Sequence, residues 1–211
     1  MSPQIQRPDG GALRNLARRD RALARAAKAL DPFPGFPQPG QHQSHFHALA
    51  KAIVFQQLAG RAAQSIHDSV ARLTPRGRFP NAEQILSLDP KLLRGAGLSR
   101  NKLLALTDLA EHVSDGRLRL RSLAHQSDQT IIDALVQVRG IGVWSAQIFL
   151  IFRLGRLDVF PSTDLGLQEG LRRLDGLQER PKPKELELRA AVWAPLRSVA
   201  AWQLWRIADS E

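Results

Sequence analysis

Apolar residues recur at steps of three and four positions along much of this chain, the spacing that places side chains on one face of an α-helix. The pattern is clearest over residues 46–73, where Phe46 and Leu49 open the apolar series. This spacing predicts one long helix over that range, bent at Gly60. Residues 13–30 are rich in Ala and Arg and predict an earlier helix.

Capping signals and further periodic stretches complete a helical map. Asn81 with Gln84 resembles a capping box, and Asp89 precedes a proline, so short helices are predicted to begin at both points. Pro181 and Pro183 lie in a predicted connection before the last helix. Further helices are predicted over residues 103–113, 130–138, 143–154, 165–174 and 190–207. Since no alternating run of six or more residues predicts a strand, the predicted fold class is all-α with short loops.

Charge makes a polyanion the first partner to consider. The 211 residues include 30 Lys and Arg against 20 Asp and Glu, a formal charge of +10. Basic side chains that neutralise phosphates release condensed counterions, so nucleic acid leads and a membrane surface follows. Most of the bases are arginines, which favours bidentate phosphate binding, although codon bias in a GC-rich genome is an equal alternative.

Composition also excludes several kinds of chemistry. The chain has no cysteine, which excludes a disulfide framework, an iron–sulfur cluster, a thiolate zinc site and a cysteine nucleophile. No apolar run has the length of a membrane span, and the first residues lack the apolar stretch of a secretory signal. We therefore expect a soluble cytoplasmic protein, and the nucleic-acid partner favoured by its charge would place it at the nucleoid.

The sharpest local motif is a G-x-G turn between two predicted helices, at Gly140 and Gly142. Glycines let the backbone turn tightly and approach a ligand closely. The amides of Gly140, Gly142 and Val143 would lie at a helix N-terminus, where a phosphate oxygen is favoured, with Arg139 and Ser145 as further phosphate contacts. A dinucleotide site would need a preceding strand and a third glycine. A plain helix–turn–helix link is the alternative.

A polar loop downstream ends at Asp164, immediately before a predicted helix. Aspartate is well suited to cap a helix N-terminus, and that role alone would explain it. The functional alternative is a carboxylate that faces DNA held by the hairpin.

These features together resemble the helix-hairpin-helix superfamily of DNA glycosylases, in its DNA-3-methyladenine glycosylase II branch. Four stretches in the family's order carry the resemblance: residues 53–63, the hairpin, the loop ending in Asp164-Leu165-Gly166, and residues 193–198 with Leu204-Trp205. The resemblance implies a two-lobed helical glycosylase fold with a DNA-binding cleft between the lobes. Its divisions would be about residues 13–45 plus 165–211 for one lobe, 46–164 for the other, and 130–154 for the helix-hairpin-helix.

The resemblance implies excision of alkylated purines in double-stranded DNA, with Asp164 as the catalytic residue. Alkylation leaves the base cationic, so it departs readily, and one carboxylate can stabilise the oxocarbenium-like sugar. Bifunctional relatives carry a lysine nucleophile two positions after the second glycine of the hairpin. Trp144 stands there, so we expect a monofunctional enzyme that leaves an abasic site.

The damaged base must leave the duplex and enter a pocket. The resemblance implies that Gln57 or Leu58 fills the gap in the stack, and we favour Gln57, although a core role for Leu58 is the simpler alternative. The resemblance implies that Trp144, Trp193 and Phe55 form the base pocket, and a cationic ring stacks well on aromatic faces. Trp202 and Trp205 are expected to be core residues.

No cofactor is required by this chemistry. The hairpins of the family can hold a monovalent cation, here through the carbonyls of Val138 and Gly140. His42, His45 and His47 cluster in the sequence, but a structural metal there is disfavoured. The expected state is a monomer. The alternatives are a non-catalytic hairpin module that binds DNA and recruits another protein, or a glycosylase for deaminated or oxidised bases.

Overall fold

The computed structural model describes residues 6–37 and 44–210, and helices form nearly all of their regular structure. The helices are α1 (Gly10–Arg19), α2 (Arg21–Ala27), α3 (His45–Phe55), α4 (Gly60–Ala71), α5 (Ala82–Ser87), α6 (Pro90–Gly95), α7 (Arg100–Ser114), α8 (Asp128–Leu135), α9 (Val143–Phe152), α10 (Leu165–Leu174), α11 (Pro183–Ala190) and α12 (Arg197–Asp209). Across the described residues, β pairing is limited to one bridge between Gln6 and Phe36. The predicted all-α fold class is confirmed.

Internal contacts divide the chain into two compact units: a terminal unit of residues 1–41 and 150–211, and a central unit of residues 42–149. The lobe boundaries predicted from the sequence differ, because they assigned residues 46–164 to one lobe. The structure places the segment before Asp164 in the terminal unit, where Ser198 N–H donates to Leu157 O at 2.9 Å.

The core of the terminal unit collects apolar side chains from α1, α2, α10, α11 and α12. It includes Leu16, Leu23, Leu167, Leu171, Leu186, Trp193, Val199 and Leu204. Helices α10 and α12 approach closely at Gly170, where a Cβ would collide with the backbone carbonyl of Leu204. A glycine is therefore required at this helix contact, which fixes α10 against α12.

Two helices predicted as continuous are interrupted. The helix-prone stretch 13–30 breaks at Asp20, whose N–H donates to Leu16 O while its carboxylate caps α2. The prediction of one long helix over residues 46–73 is wrong, because α3 ends at Phe55 and α4 begins at Gly60.

The C-terminal region also differs from its prediction. Pro183, predicted to lie in a connection, is instead the first residue of α11. A proline fits there because the N–H group of the first helical residue has no partner within the helix. The helix predicted over residues 190–207 is interrupted by a 3-10 turn at Ala191–Trp193 and by Pro195, which follows a cis peptide bond. A proline cannot donate within a helix, so α12 begins only at Arg197.

Several local predictions are confirmed. Asn81 N–H donates to Gln84 Oε1 and Gln84 N–H donates to Asn81 Oδ1, both at 2.9 Å, which is the predicted capping box. Pro90 begins α6 after the Asp89 cap. Within the described ranges, no helix has both the length and the apolar character needed to cross a membrane.

Candidate active site

Asp164 ends a loop that the start of α12 holds in place. Arg197 forms a bidentate ion pair with Asp158, with Nε and Nη2 at 2.8 and 2.9 Å from the two carboxylate oxygens. Ser198 Oγ accepts from Val159 N–H and donates to Val159 O, both at 2.9 Å. The loop is therefore tied to α12 by side chains and backbone before it reaches Asp164.

One carboxylate oxygen of Asp164 receives two N–H donors. Oδ1 accepts from Leu167 N–H at 3.0 Å, which caps α10, and from the Trp205 indole N–H at 2.9 Å. Two donors on one oxygen fix the orientation of the carboxylate. The residue is half-buried, so it caps α10 while part of it remains accessible to solvent.

Trp205 has a function that the sequence did not indicate. It packs against the core of the terminal unit, as expected, and stacks at a tilt on Phe152 with ring centroids 5.4 Å apart. Its indole N–H also orients Asp164. Trp202, one turn earlier on α12, is buried and packs edge-on against Phe33, which confirms its core assignment.

Gly166 makes room for this pair. A Cβ at this position would lie 3.0 Å from Asp164 Oδ1 and 3.0 Å from Trp205 Cδ1. Real Cβ atoms rarely approach other atoms so closely. The glycine in the Asp164-Leu165-Gly166 sequence therefore permits the indole to reach the carboxylate.

In the central unit, the two glycines of the hairpin between α8 and α9 have different roles. Gly140 has a φ of +78°, and a Cβ there would lie 3.1 Å from Ala105 Cβ, so both conformation and space require glycine. Gly142 has no such φ, and a Cβ there would meet nothing within 4 Å. The protein interior therefore does not explain Gly142.

Neighbouring elements of the central unit hold the hairpin turn. Arg139 N–H donates to Asp108 Oδ2 at 2.7 Å, and Gln56 Nε2 donates to Gly140 O at 2.8 Å. Val138 O accepts from Ile141 N–H at 3.0 Å. The two carbonyls predicted as cation ligands each accept a hydrogen bond, which leaves each oxygen its second lone pair.

The hairpin leads into α9 with its N-terminal end exposed. Gly142 O accepts from Ala146 N–H at 3.0 Å, so Gly142 is the capping residue and has no side chain to offer the first amides. Val143 and Trp144 are 54% and 42% exposed, and no acidic residue lies in the first turn of α9. A helix N-terminus of this kind favours an anion.

The predicted intercalation residues lie in the segment between α3 and α4. Gln57 has a φ of +54° and is the one non-glycine with positive φ among the described residues. This conformation costs a side-chain-bearing residue about 1–2 kcal/mol. Gln57 and Leu58 are both exposed. Lys102 Nζ donates to Val54 O at 2.6 Å, which anchors the end of α3 before this segment.

Comparison with known proteins agrees with this geometry. A family model described as HhH-GPD superfamily base excision DNA repair protein matches residues 50–195. The chain belongs to this superfamily. DNA-3-methyladenine glycosylase 1 of Schizosaccharomyces pombe is 33% identical over 162 residues, 76% of this chain and 71% of that protein. The family predicted from the sequence is confirmed.

Solved structures lead to the same family. The DNA-3-methyladenine glycosidase of Bacillus halodurans superposes with a TM-score of 0.86 at 32% identity, covering 98% of this chain and 93% of that one. The 3-methyladenine DNA glycosylase of Schizosaccharomyces pombe in complex with abasic DNA superposes with a TM-score of 0.81 at 30% identity, covering 93% of this chain and 95% of that one.

The position of Trp193 in this HhH-GPD protein corrects one pocket prediction. Trp193 is 1% exposed, and its indole N–H donates to Asp20 Oδ2 at 2.8 Å. The Arg189 guanidinium lies 5.0 Å from its ring centroid. A side chain enclosed in this way has no face for a base, so Trp193 is a core residue.

The other predicted pocket residues of the HhH-GPD protein, Trp144 and Phe55, lie in the central unit. Phe55 is the last residue of α3 and is half-buried, with Lys51 Nζ 5.1 Å from its ring centroid. Trp144 is the second residue of α9. Their use as a base pocket stays a prediction.

Histidines of the central unit form an aromatic stack. His47 Nε2 and His67 Nε2 are 2.8 Å apart, and both rings stack on Phe79 at 5.0 and 4.8 Å. His42 lies outside the described residues. Over residues 6–37 and 44–210, no three His, Asp or Glu side chains are placed to hold a metal ion.

Proposed function

We propose that this protein is a monofunctional DNA glycosylase that hydrolyses the N-glycosidic bond of alkylated purines, of the 3-methyladenine and 7-methylguanine type, in base excision repair. The observation that carries the proposal is the Asp164 carboxylate, half-buried and oriented by Leu167 N–H and the Trp205 indole, in a chain of the HhH-GPD superfamily. The relatives named above are 3-methyladenine glycosylases, which supports the same substrate class.

The reaction needs little from the protein besides a placed negative charge. An alkylated purine carries a positive charge, so the glycosidic bond breaks with its electron pair leaving on the base. The sugar then acquires oxocarbenium character, which Asp164 stabilises electrostatically while water adds to C1′ and loses a proton. The products are a free alkylated base and an abasic site.

We propose that the enzyme does not cleave the DNA strand through a Schiff base. That chemistry requires an amine near C1′ of the sugar, and the corresponding position on α9 is Trp144. An indole nitrogen has no available lone pair for nucleophilic attack. The enzyme therefore stops at the abasic site.

DNA backbone binding is assigned to the hairpin of the central unit. The amides that follow Gly142, together with Ser145 and the Arg139 side chain, are the proposed phosphate contacts. The open space at Gly142 and the exposed first turn of α9 support this assignment, because neither is explained by packing.

Gln57 is the proposed residue that fills the gap left by the flipped base, with Leu58 beside it. Strain at a non-glycine residue persists only where surrounding structure or function maintains it, and Gln57 is exposed in a segment fixed at Val54 and Gln56. Trp144 and Phe55 remain the proposed pocket residues. The monomeric state and the association with nucleoid DNA also stay predictions.

The decisive experiment incubates the protein with methylated duplex DNA and identifies the released bases. Asp164→Asn should retain affinity for undamaged duplex and lose base release by at least about 100-fold, the usual effect of removing a charge-stabilising group. Asp209→Asn, an exposed acid at the end of α12, is the matched control and should keep full activity.

Three outcomes would contradict the proposal. Persistent release by Asp164→Asn would remove the mechanism. DNA binding without release by the wild-type protein would favour the non-catalytic hairpin module. Release of hypoxanthine or oxidised bases in preference to methylated purines would favour the other glycosylase class.

A further inference from the structure

Helices α1 and α2 carry half of the formal charge of the chain. Residues 10–28 contain six basic side chains against Asp20 alone, a net +5 of the total +10. All six cations are exposed. Arg19 donates to the Ala194 carbonyl, and the other five form the surface we call the basic helix pair: Arg14, Arg18, Arg21, Arg25 and Lys28. They lie at i and i+4 or i+3 spacing, which places each set on one helix face.

The cations of the basic helix pair have no carboxylate partner within the described residues, unlike other arginines of the terminal unit. The Glu169 carboxylate forms ion pairs with Arg172, Arg173 and Arg180 at 2.8, 3.0 and 2.9 Å. Asp20, the acid nearest to the basic helix pair in sequence, is engaged by Arg189 at 2.6 Å. The positive charge on α1 and α2 is therefore left uncompensated.

Helix stability explains only part of this arrangement, because Arg18 and Arg25 lie in the last turns of α1 and α2, where the helix dipole favours a cation. Like charges at i and i+4 repel, and Arg21 is the first residue of α2, where the helix dipole disfavours a cation. Arg21, Arg25 and Lys28 also line a shallow depression of about 270 Å³ on the surface of α2. Cations held together against their own repulsion indicate a surface for an external polyanion.

We propose that the basic helix pair is a second DNA-backbone contact, separate in sequence from the hairpin, that binds phosphates of undamaged duplex. This proposal rests on the proposed function. Guanidinium groups predominate here and bind phosphate oxygens bidentately. An amphipathic membrane helix needs an exposed apolar face, whereas Leu16 and Leu23 of α1 and α2 are buried in the core of the terminal unit.

The test measures affinity of the full chain for undamaged duplex DNA as salt is varied. The variant replaces Arg14, Arg18, Arg21 and Arg25 by Gln, which removes charge while keeping helix propensity. Each lost phosphate contact lowers the slope of log affinity against log salt by roughly 0.9. We expect the slope to fall by about 2 to 4 and affinity at low salt to fall at least about tenfold.

A matched control removes the same charge from the central unit. It replaces Arg76, Arg78, Arg119 and Arg121 by Gln, all exposed in loops. The control should change the slope by less than about one contact. An equal loss in both variants would mean a diffuse effect of net charge and would overturn the proposal, as would an unchanged slope in the helix variant. If the quadruple variant unfolds, Arg21→Gln with Arg25→Gln gives the same comparison.

Two further arms separate the causes of failure. Vesicles containing phosphatidylserine test the membrane alternative: vesicle binding lost in the helix variant with an unchanged DNA slope would overturn the proposal.

Single-turnover base release at low salt with enzyme in excess should be unchanged in the helix variant. Absence of release by the wild type would refute the proposed function, while the salt slope would still report on the basic helix pair.

Discussion

Two aspartates of the terminal unit begin helices in nearly the same way. Asp20 accepts from the backbone amide three residues ahead at 2.9 Å and from the Trp193 indole N–H at 2.8 Å. Asp164 accepts from the amide three residues ahead at 3.0 Å and from the Trp205 indole N–H at 2.9 Å. The local motif is the same, but the surroundings of the two carboxylates differ.

Burial and a cation give Asp20 a structural role. Its side chain is 4% exposed and lies 2.6 Å from the Arg189 guanidinium. Burial alone would raise the pKa of Asp20, but hydrogen bonds from Leu23, Trp193 and Arg189 outweigh it, so the pKa is lower than usual. Asp164 is half-buried, and the Leu167 amide and the Trp205 indole donate to the same carboxylate oxygen. The same capping motif therefore occurs at a buried carboxylate and at a partly accessible one, and accessibility distinguishes the proposed catalytic residue from the structural one.

The largest effect is expected at the structural carboxylate. Asp20→Asn removes the charge that pairs with Arg189 in a buried site, so the free energy of unfolding should fall by about 3 kcal/mol. Base release per folded molecule should be unchanged. Urea denaturation and single-turnover assays measure the two quantities. A stable but inactive variant would contradict the structural role of Asp20.

Trp205→Phe should lower the rate of base release. It keeps an aromatic ring and removes the N–H that orients Asp164, a bond to a charged group worth about 2 kcal/mol, so base release should slow roughly thirtyfold. Trp202→Phe on the same helix is the control, since any loss there should be in stability alone. Equal rates in the two variants would show that the indole does not position the carboxylate.

Gly166→Ala should have a smaller effect on the same pair. The new Cβ would press on both Asp164 Oδ1 and Trp205 Cδ1, and we expect a rate reduction of roughly fivefold, about 1 kcal/mol. Gly95→Ala in α6, where a Cβ meets nothing within 4 Å, should leave the rate unchanged. A rate for Gly166→Ala equal to wild type would mean that the pair tolerates displacement.

The smallest expected effect is the pH dependence of stability. Because the folded-state pKa of Asp20 is lowered, its stabilising contribution is present above the unfolded-state value of about 3.9 and is lost as pH falls through the folded-state pKa. The stability difference between wild type and Asp20→Asn should therefore shrink below about pH 4. A difference that stays constant from pH 6 to pH 3 would contradict this assignment.

Local signals in the sequence predicted much of the helical map. The Asn81 capping box, the Pro90 start of α6 and the glycine turn between α8 and α9 depend on residues within one or two turns of each other, so they can be recognised without knowledge of the fold. The sequence does not indicate the breaks at Asp20 and Gln57, because apolar periodicity continues across both of them.

The sequence by itself determined the all-α class, the position of the hairpin and Asp164 at the start of a helix. Only the tertiary structure decided which tryptophan indole donates a hydrogen bond to which aspartate. Trp193 and Trp205 both lie in apolar stretches, and their indole donors reach partners 173 and 41 residues away. Such pairings depend on how α10, α11 and α12 pack. Gly166 and Gly170 permit that packing, because a Cβ at either position would collide with atoms of α12, which is remote in sequence.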